Sequence, residues 1–64
     1  MNQEQLENVN KALIYVACKM NRKDALLRLT RDFGYTLEEA EAMRKLVRDG
    51  VPVGEAERQL GISG

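Results

Sequence analysis

Apolar side chains recur at helical spacing along nearly the whole chain, and polar residues, glycines and one proline divide that pattern into four stretches. The clearest signals lie in 36–49. Thr36 is a favoured helix N-cap, and Glu39 stands three residues on, the spacing of a capping box in which each side chain meets the other's backbone N–H. Glu38, Glu39 and Glu41 put negative charge at the start of this helix and Arg44, Lys45 and Arg48 put positive charge toward its end, as the helix dipole favours. Gly50 and then Pro52 stop it. Leu37, Ala40, Met43, Leu46 and Val47 fall on one side, which is expected to face the core with Met43 and Leu46 at its centre.

Residues 3–20 read as a first helix. Leu6, Val9, Leu13, Val16 and Met20 follow at steps of three, four, three and four, the seam spacing of a coiled coil or a packed bundle helix. Ala17 widens this stripe, while Ile14, Tyr15 and Cys18 lie roughly a quarter to half a turn away at about 100° per residue. A helix with two apolar faces needs two neighbours. Either helix 1 lies across the rest of the domain and buries both, or one face pairs with a second copy of the chain, giving a symmetric dimer through helix 1.

Asn21 caps a second helix over 22–33, with Asp24 three positions later. Ala25, Leu26, Leu29 and Phe33 form its inner face, Arg28 and Arg31 point outward, and Leu27 stands apart. Gly34 supplies the positive φ of a C-cap, and Tyr35 beyond it is expected to pack back on the helix it follows. A last short helix, 52–60, places Val53, Ala56 and Leu60 on one face and exists only if it packs, being too short to hold alone in water. No strand-like alternation occurs. The fold class is all-α: a small four-helix domain covering 1–64, with helices at roughly 3–20, 22–33, 36–49 and 52–60.

A chain of 64 residues makes one domain at most, and one this size buries only about 60% of the surface that its unfolded form exposes. A marginal core strengthens the expectation of a partner. The single cysteine, Cys18, excludes an internal disulfide and fits a reducing compartment, so a cytoplasmic protein is expected. The longest apolar run, Ala12 to Cys18, is too short to span a bilayer, and Asn2-Gln3-Glu4 does not open a signal peptide. Ten basic residues balance ten acidic ones, but unevenly. Lys11, Lys19, Arg22, Lys23, Arg28 and Arg31 face only Asp24 over 11–31, and four acids then precede Arg44. Such asymmetry can orient a partner.

Candidate chemistry is sparse. The chain has no histidine, and Cys18 sits mid-helix in an apolar run, where an inert thiol is expected. Glu38, Glu39 and Glu41 are accounted for by the helix dipole, and the glycines are scattered as helix punctuation without forming a phosphate loop. No catalytic residue, metal, cofactor or small-molecule substrate is expected.

The final third, Tyr35-Thr-Leu-Glu-Glu-Ala-Glu-Ala-Met-Arg-Lys-Leu-Val-Arg-Asp-Gly50 followed by Val51-Pro-Val-Gly-Glu-Ala-Glu-Arg-Gln-Leu-Gly61-Ile-Ser63, resembles the opening of a helix-turn-helix module of bacterial resolvase-like and repressor proteins. The resemblance makes Gly61 the turn, Ile62 the buried residue after it and Ser63 the cap of a recognition helix. It also implies that the last three helices form one unit. The sequence departs from the pattern at Glu57, where a small residue is usual, and at its end, where the recognition helix would begin only after Ser63. A register with Gly34 as the turn would instead present Glu38, Glu39 and Glu41 toward phosphates, which argues against DNA. A weaker likeness, to the ubiquitin-associated domain, lies in the Phe33-Gly34-Tyr35 corner, Glu38-Glu39-Ala40 and the last helix around Ala56 and Leu60.

These readings lead to a small non-enzymatic regulator that binds a macromolecule, most of all another protein, as an inhibitor or adaptor on a helix-turn-helix-like scaffold. Ile14, Tyr15, Cys18 and Leu27 are the expected protein-contact residues. The alternative is a DNA-binding transcriptional regulator, or a piece of one, with Lys19, Arg22, Lys23, Arg28 and Arg31 on the phosphates.

Overall fold

A computed structural model describes residues 2–62. It contains four helices, α1 (Gln3–Cys18), α2 (Arg22–Phe33), α3 (Leu37–Arg48) and α4 (Val53–Leu60), and no strand among the described residues. The fold is all-α, as expected. α1 is shorter than the 3–20 expectation: it ends at Cys18 and is capped by Lys19, whose N–H reaches the carbonyls of Tyr15 and Val16.

Local chemistry fixes the ends. Thr36 and Glu39 form the anticipated reciprocal box, with Glu39 N–H donating to Thr36 Oγ1 at 3.1 Å and Thr36 N–H donating to Glu39 Oε1 at 2.9 Å. Asn2 and Gln5 build a second box at the start of α1, which the sequence reading had not singled out. Asn21 accepts from the Asp24 N–H at 2.9 Å. At the other end of α3, Gly50 takes φ +101°, and the Val51 N–H bonds the Leu46 carbonyl while the Gly50 N–H bonds the Val47 carbonyl. That is the Schellman arrangement, and it turns the chain toward Pro52.

α3 touches each of the other three helices, whereas α2 and α4 do not touch each other. α3 is therefore the centre of the body, with Ala40, Met43 and Val47 fully enclosed. Ala25, Leu26 and Leu29 come in from α2, Val53 and Ala56 from α4, and Ile14, Ala17 and Cys18 from α1. Tyr35 packs back into the core as anticipated, its ring 6.3 Å from that of Phe33. A radius of gyration of 10.8 Å matches the roughly 11 Å of a single folded domain of this length, so the four helices share one body.

The buried faces differ from expectation at three places. Leu46 lies at the rim, partly buried, and Val47 takes the central position assigned to it. Leu37, expected on the inner stripe of α3, is 60% exposed, because it occupies the first helical position, beyond the reach of the neighbouring helices. The third is α1, whose expected seam does not face the core.

Candidate functional site

The unusual surface of the molecule is on α1. Every residue from Asn2 to Leu13 is exposed, and the buried residues of the helix, Ile14, Ala17 and Cys18, all lie toward its C-terminal end. Leu6, Val9, Leu13 and Val16 are each between 46% and 53% exposed. At about 100° per residue they form one stripe, centred roughly a third of a turn round from the buried face. Four aliphatic side chains aligned over three turns and left in water make a contiguous apolar surface, which is more informative than the same residues scattered singly.

The expected protein-contact residues do not come together. Ile14 and Cys18 are in the core, because the face they share with Ala17 is the one α1 lays against the rest of the domain; neither is available to a partner. Tyr15 and Leu27 are exposed, but on the outer faces of two different helices. Lys19 Nζ lies 5.2 Å from the centre of the Tyr15 ring, a cation–π contact that occupies one side of that ring. Leu27 stands alone among Lys23, Asp24 and Arg31, its neighbours at helical spacing. The exposed stripe was legible as a pattern and was taken for one of two faces seeking neighbours; which of the two the body would use was not.

The basic residues are partly neutralised at home. Arg22 is paired with Glu41 across α2 and α3, and Arg31 Nε donates to Asp32 Oδ1 at 3.0 Å. Lys19 is held over Tyr15. Lys23 and Arg28 are exposed and make no ion pair among the described residues. Exposed pairs of this kind contribute little to stability, but they lower the field available to an anion.

Titratable groups inside the body are held in their neutral forms. Burial pushes the Cys18 thiol up to about 11, against the opposing charges of Arg44 and Lys19. A thiol so placed is a poor nucleophile. Burial also pushes the Tyr35 phenol up to about 12, with the nearby Glu57 carboxylate adding to the effect, and its hydroxyl is buried without a hydrogen-bond partner. Between α1 and α4 a cleft of about 270 Å³ is lined by Glu7, Asn10, Lys11, Gly54, Glu57, Arg58 and Ile62. It falls below the roughly 300–1,000 Å³ of ligand pockets and mixes both signs of charge on its rim. No cluster of metal-ligating side chains occurs among the described residues, and no helix among them is long and apolar enough to cross a membrane.

Gly61 caps α4 at φ +70°, and the Ile62 N–H bonds the Glu57 carbonyl at 2.9 Å, which brings the partly buried Ile62 back against the core. Ser63, the cap of the implied recognition helix, lies outside the described residues. Comparison with protein-family models, with curated proteins and with solved structures returned no match.

Proposed function

We propose that this protein is a small regulator without catalytic chemistry of its own, acting by binding another protein through the outer stripe of α1. The observation that carries the reading is Leu6, Val9, Leu13 and Val16, aligned and half-exposed on a helix whose first eleven residues take no part in the core. A helix face of this kind suits helix-on-helix recognition, in which side chains at three- and four-residue spacing anchor in a partner groove. The regulator class rests on the resemblance of 35–63 to helix-turn-helix proteins. A cytoplasmic setting accords with the single buried thiol.

DNA binding is the competing reading, supported by Lys23 and Arg28, which remain exposed and free of ion pairs among the described residues. Two measurements separate the readings. A photo-crosslinking side chain at Leu13 or Val16, with Leu27 and Leu37 as control positions, should give protein adducts from the stripe alone. Adducts from the controls only, or none at all, would reject the stripe as the working surface. Duplex DNA binding at low and moderate salt should be weak and insensitive to Arg28→Glu/Arg31→Glu. Tight binding with a steep salt slope, abolished by that reversal, would replace the protein partner with DNA.

A further inference from the structure

We infer that the protein which covers the α1 stripe is a second copy of this chain, its α1 lying antiparallel to the first. The inference rests on the proposal that the stripe is a protein-binding surface and adds the occupant, the direction and the register.

The register follows from the sequence of the stripe. A two-fold axis at the level of Lys11 sets Leu6 opposite the partner's Val16 and Val9 opposite the partner's Leu13, then repeats both pairs in reverse. Every layer joins one larger and one smaller side chain, the combination that interdigitates without voids. A parallel pair would stack leucine on leucine and valine on valine. In heptad terms it would put Leu at a and Val at d, the reverse of the β-branched a and Leu d that favour two parallel strands. The helix dipoles also oppose a parallel pair and favour an antiparallel one.

Charge points the same way. The positions flanking the stripe are Gln3, Gln5, Asn10, Ala12 and Ala17, with Lys19 at the far end. Flanking charges set partner choice in helix pairs, and like charges brought together by symmetry repel. Here the axis brings Ala12 beside the partner's Ala12 and Asn10 beside the partner's Asn10, so a second copy meets no repulsion near it. The body is packed on the face of α1 that carries Ile14, Ala17 and Cys18, roughly a third of a turn from the stripe, so the stripe itself stays open to a second helix. The contact of two helices about 24 Å long is smaller than the roughly 800 Å² per partner of a standard stable complex, so the dimer should dissociate on dilution.

Sedimentation equilibrium of the native chain over a wide concentration range should show a shift from one chain mass to two. Leu13→Glu should remain one chain mass throughout while keeping its helical circular dichroism, since Leu13 takes no part in the core. Under mild oxidation Ala12→Cys should form a disulfide-linked dimer. Leu6→Cys should not, because the two copies of that position stand about 15 Å apart along the pair, beyond disulfide reach. Native protein is the control, its Cys18 being enclosed. A single chain mass at every concentration would overturn the inference, as would a crosslink through Leu6→Cys in place of Ala12→Cys or a dimer that survives Leu13→Glu. Stripe adducts of foreign mass, with none at twice the chain mass, would also overturn the second copy and yet leave protein binding standing. A stripe that yields no adduct of any kind would reject both.

Discussion

α1 and α3 carry apolar stripes of the same kind and meet opposite fates. On α3, Ala40, Met43 and Val47 are sealed by neighbours on three sides, because that helix touches every other one. On α1, the longer and more regular stripe of Leu6, Val9, Leu13 and Val16 stays in water, and the less regular set of Ile14, Ala17 and Cys18 enters the core. Regular spacing shows that a face is suited to a partner. It does not show that the partner belongs to the same chain. In a domain that buries only about 60% of its potential surface there are few internal faces to distribute, and the best-formed stripe is free for an external one.

The sharpest way to break this contrast is to empty the α3 side. Met43 is fully enclosed, so Met43→Ala should cost on the order of 2–5 kcal/mol. Against a total stability near the low end of about 5–15 kcal/mol, that leaves only about 0–3 kcal/mol at room temperature. Leu46→Ala, at the rim, should cost distinctly less. Urea melts of the two variants check the order; equal losses would mean that the core is centred one turn away from Met43.

The next effect is alkaline. Cys18 moves from 9.0 to about 11 and Tyr35 from 10.0 to about 12, both because burial disfavours the charged form. The folded state holds these protons after the unfolded state has released them. The contribution is therefore full below pH 9 and declines as pH rises through 9–11 for Cys18 and 10–12 for Tyr35. Each group amounts to a loss on the order of 2 kcal/mol across its window. Thermal melts between pH 8 and 12 should show the decline, and Cys18→Ala should remove its earlier part. A melting temperature flat to the top of that range would mean that water reaches both groups.

Caps come third, and they mark the part of the fold that was plain in the sequence. Thr36→Ala deletes one half of the α3 box and should cost about 1 kcal/mol, a shift of about 4–8 °C in a domain this small. The box, the Asn21 cap and the stops at Gly34 and Gly50 were all readable because each depends on residues within a few positions of one another. The face that α1 buries depends on where α2, α3 and α4 lie in space, and spacing along one helix holds no record of that. Ile14, Tyr15 and Cys18 were therefore grouped as one candidate surface, although Ile14 and Cys18 point into the body and Tyr15 points out. Leu37 was misplaced for a related reason: the periodicity of α3 continues to its first residue, whereas the neighbours that could cover it do not. The basic residues were read as one group; the pairing of Arg31 with Asp32 lies between sequence neighbours, whereas that of Arg22 with Glu41 became visible only once α2 and α3 were side by side.

The smallest effect on the folded chain should come from the stripe itself. Leu13→Ser removes a large aliphatic side chain of the same type and spacing as those of α3, and in a buried position it would be among the most damaging changes available. At Leu13 the side chain is 53% exposed and lies outside the core cluster, so the change in dilute solution should stay within about 0.5 kcal/mol. Serine is a somewhat weaker helix former than leucine, which accounts for most of that allowance. The informative measurement is a pair of melts, one dilute and one concentrated. The native chain should melt higher when concentrated, because a partner that binds only the folded state adds stability by mass action. Leu13→Ser should melt at the same temperature in both. If instead the dilute variant loses more than about 1 kcal/mol, Leu13 packs within its own chain. The stripe would then be an inner face like that of α3, and the difference between the two helices would disappear.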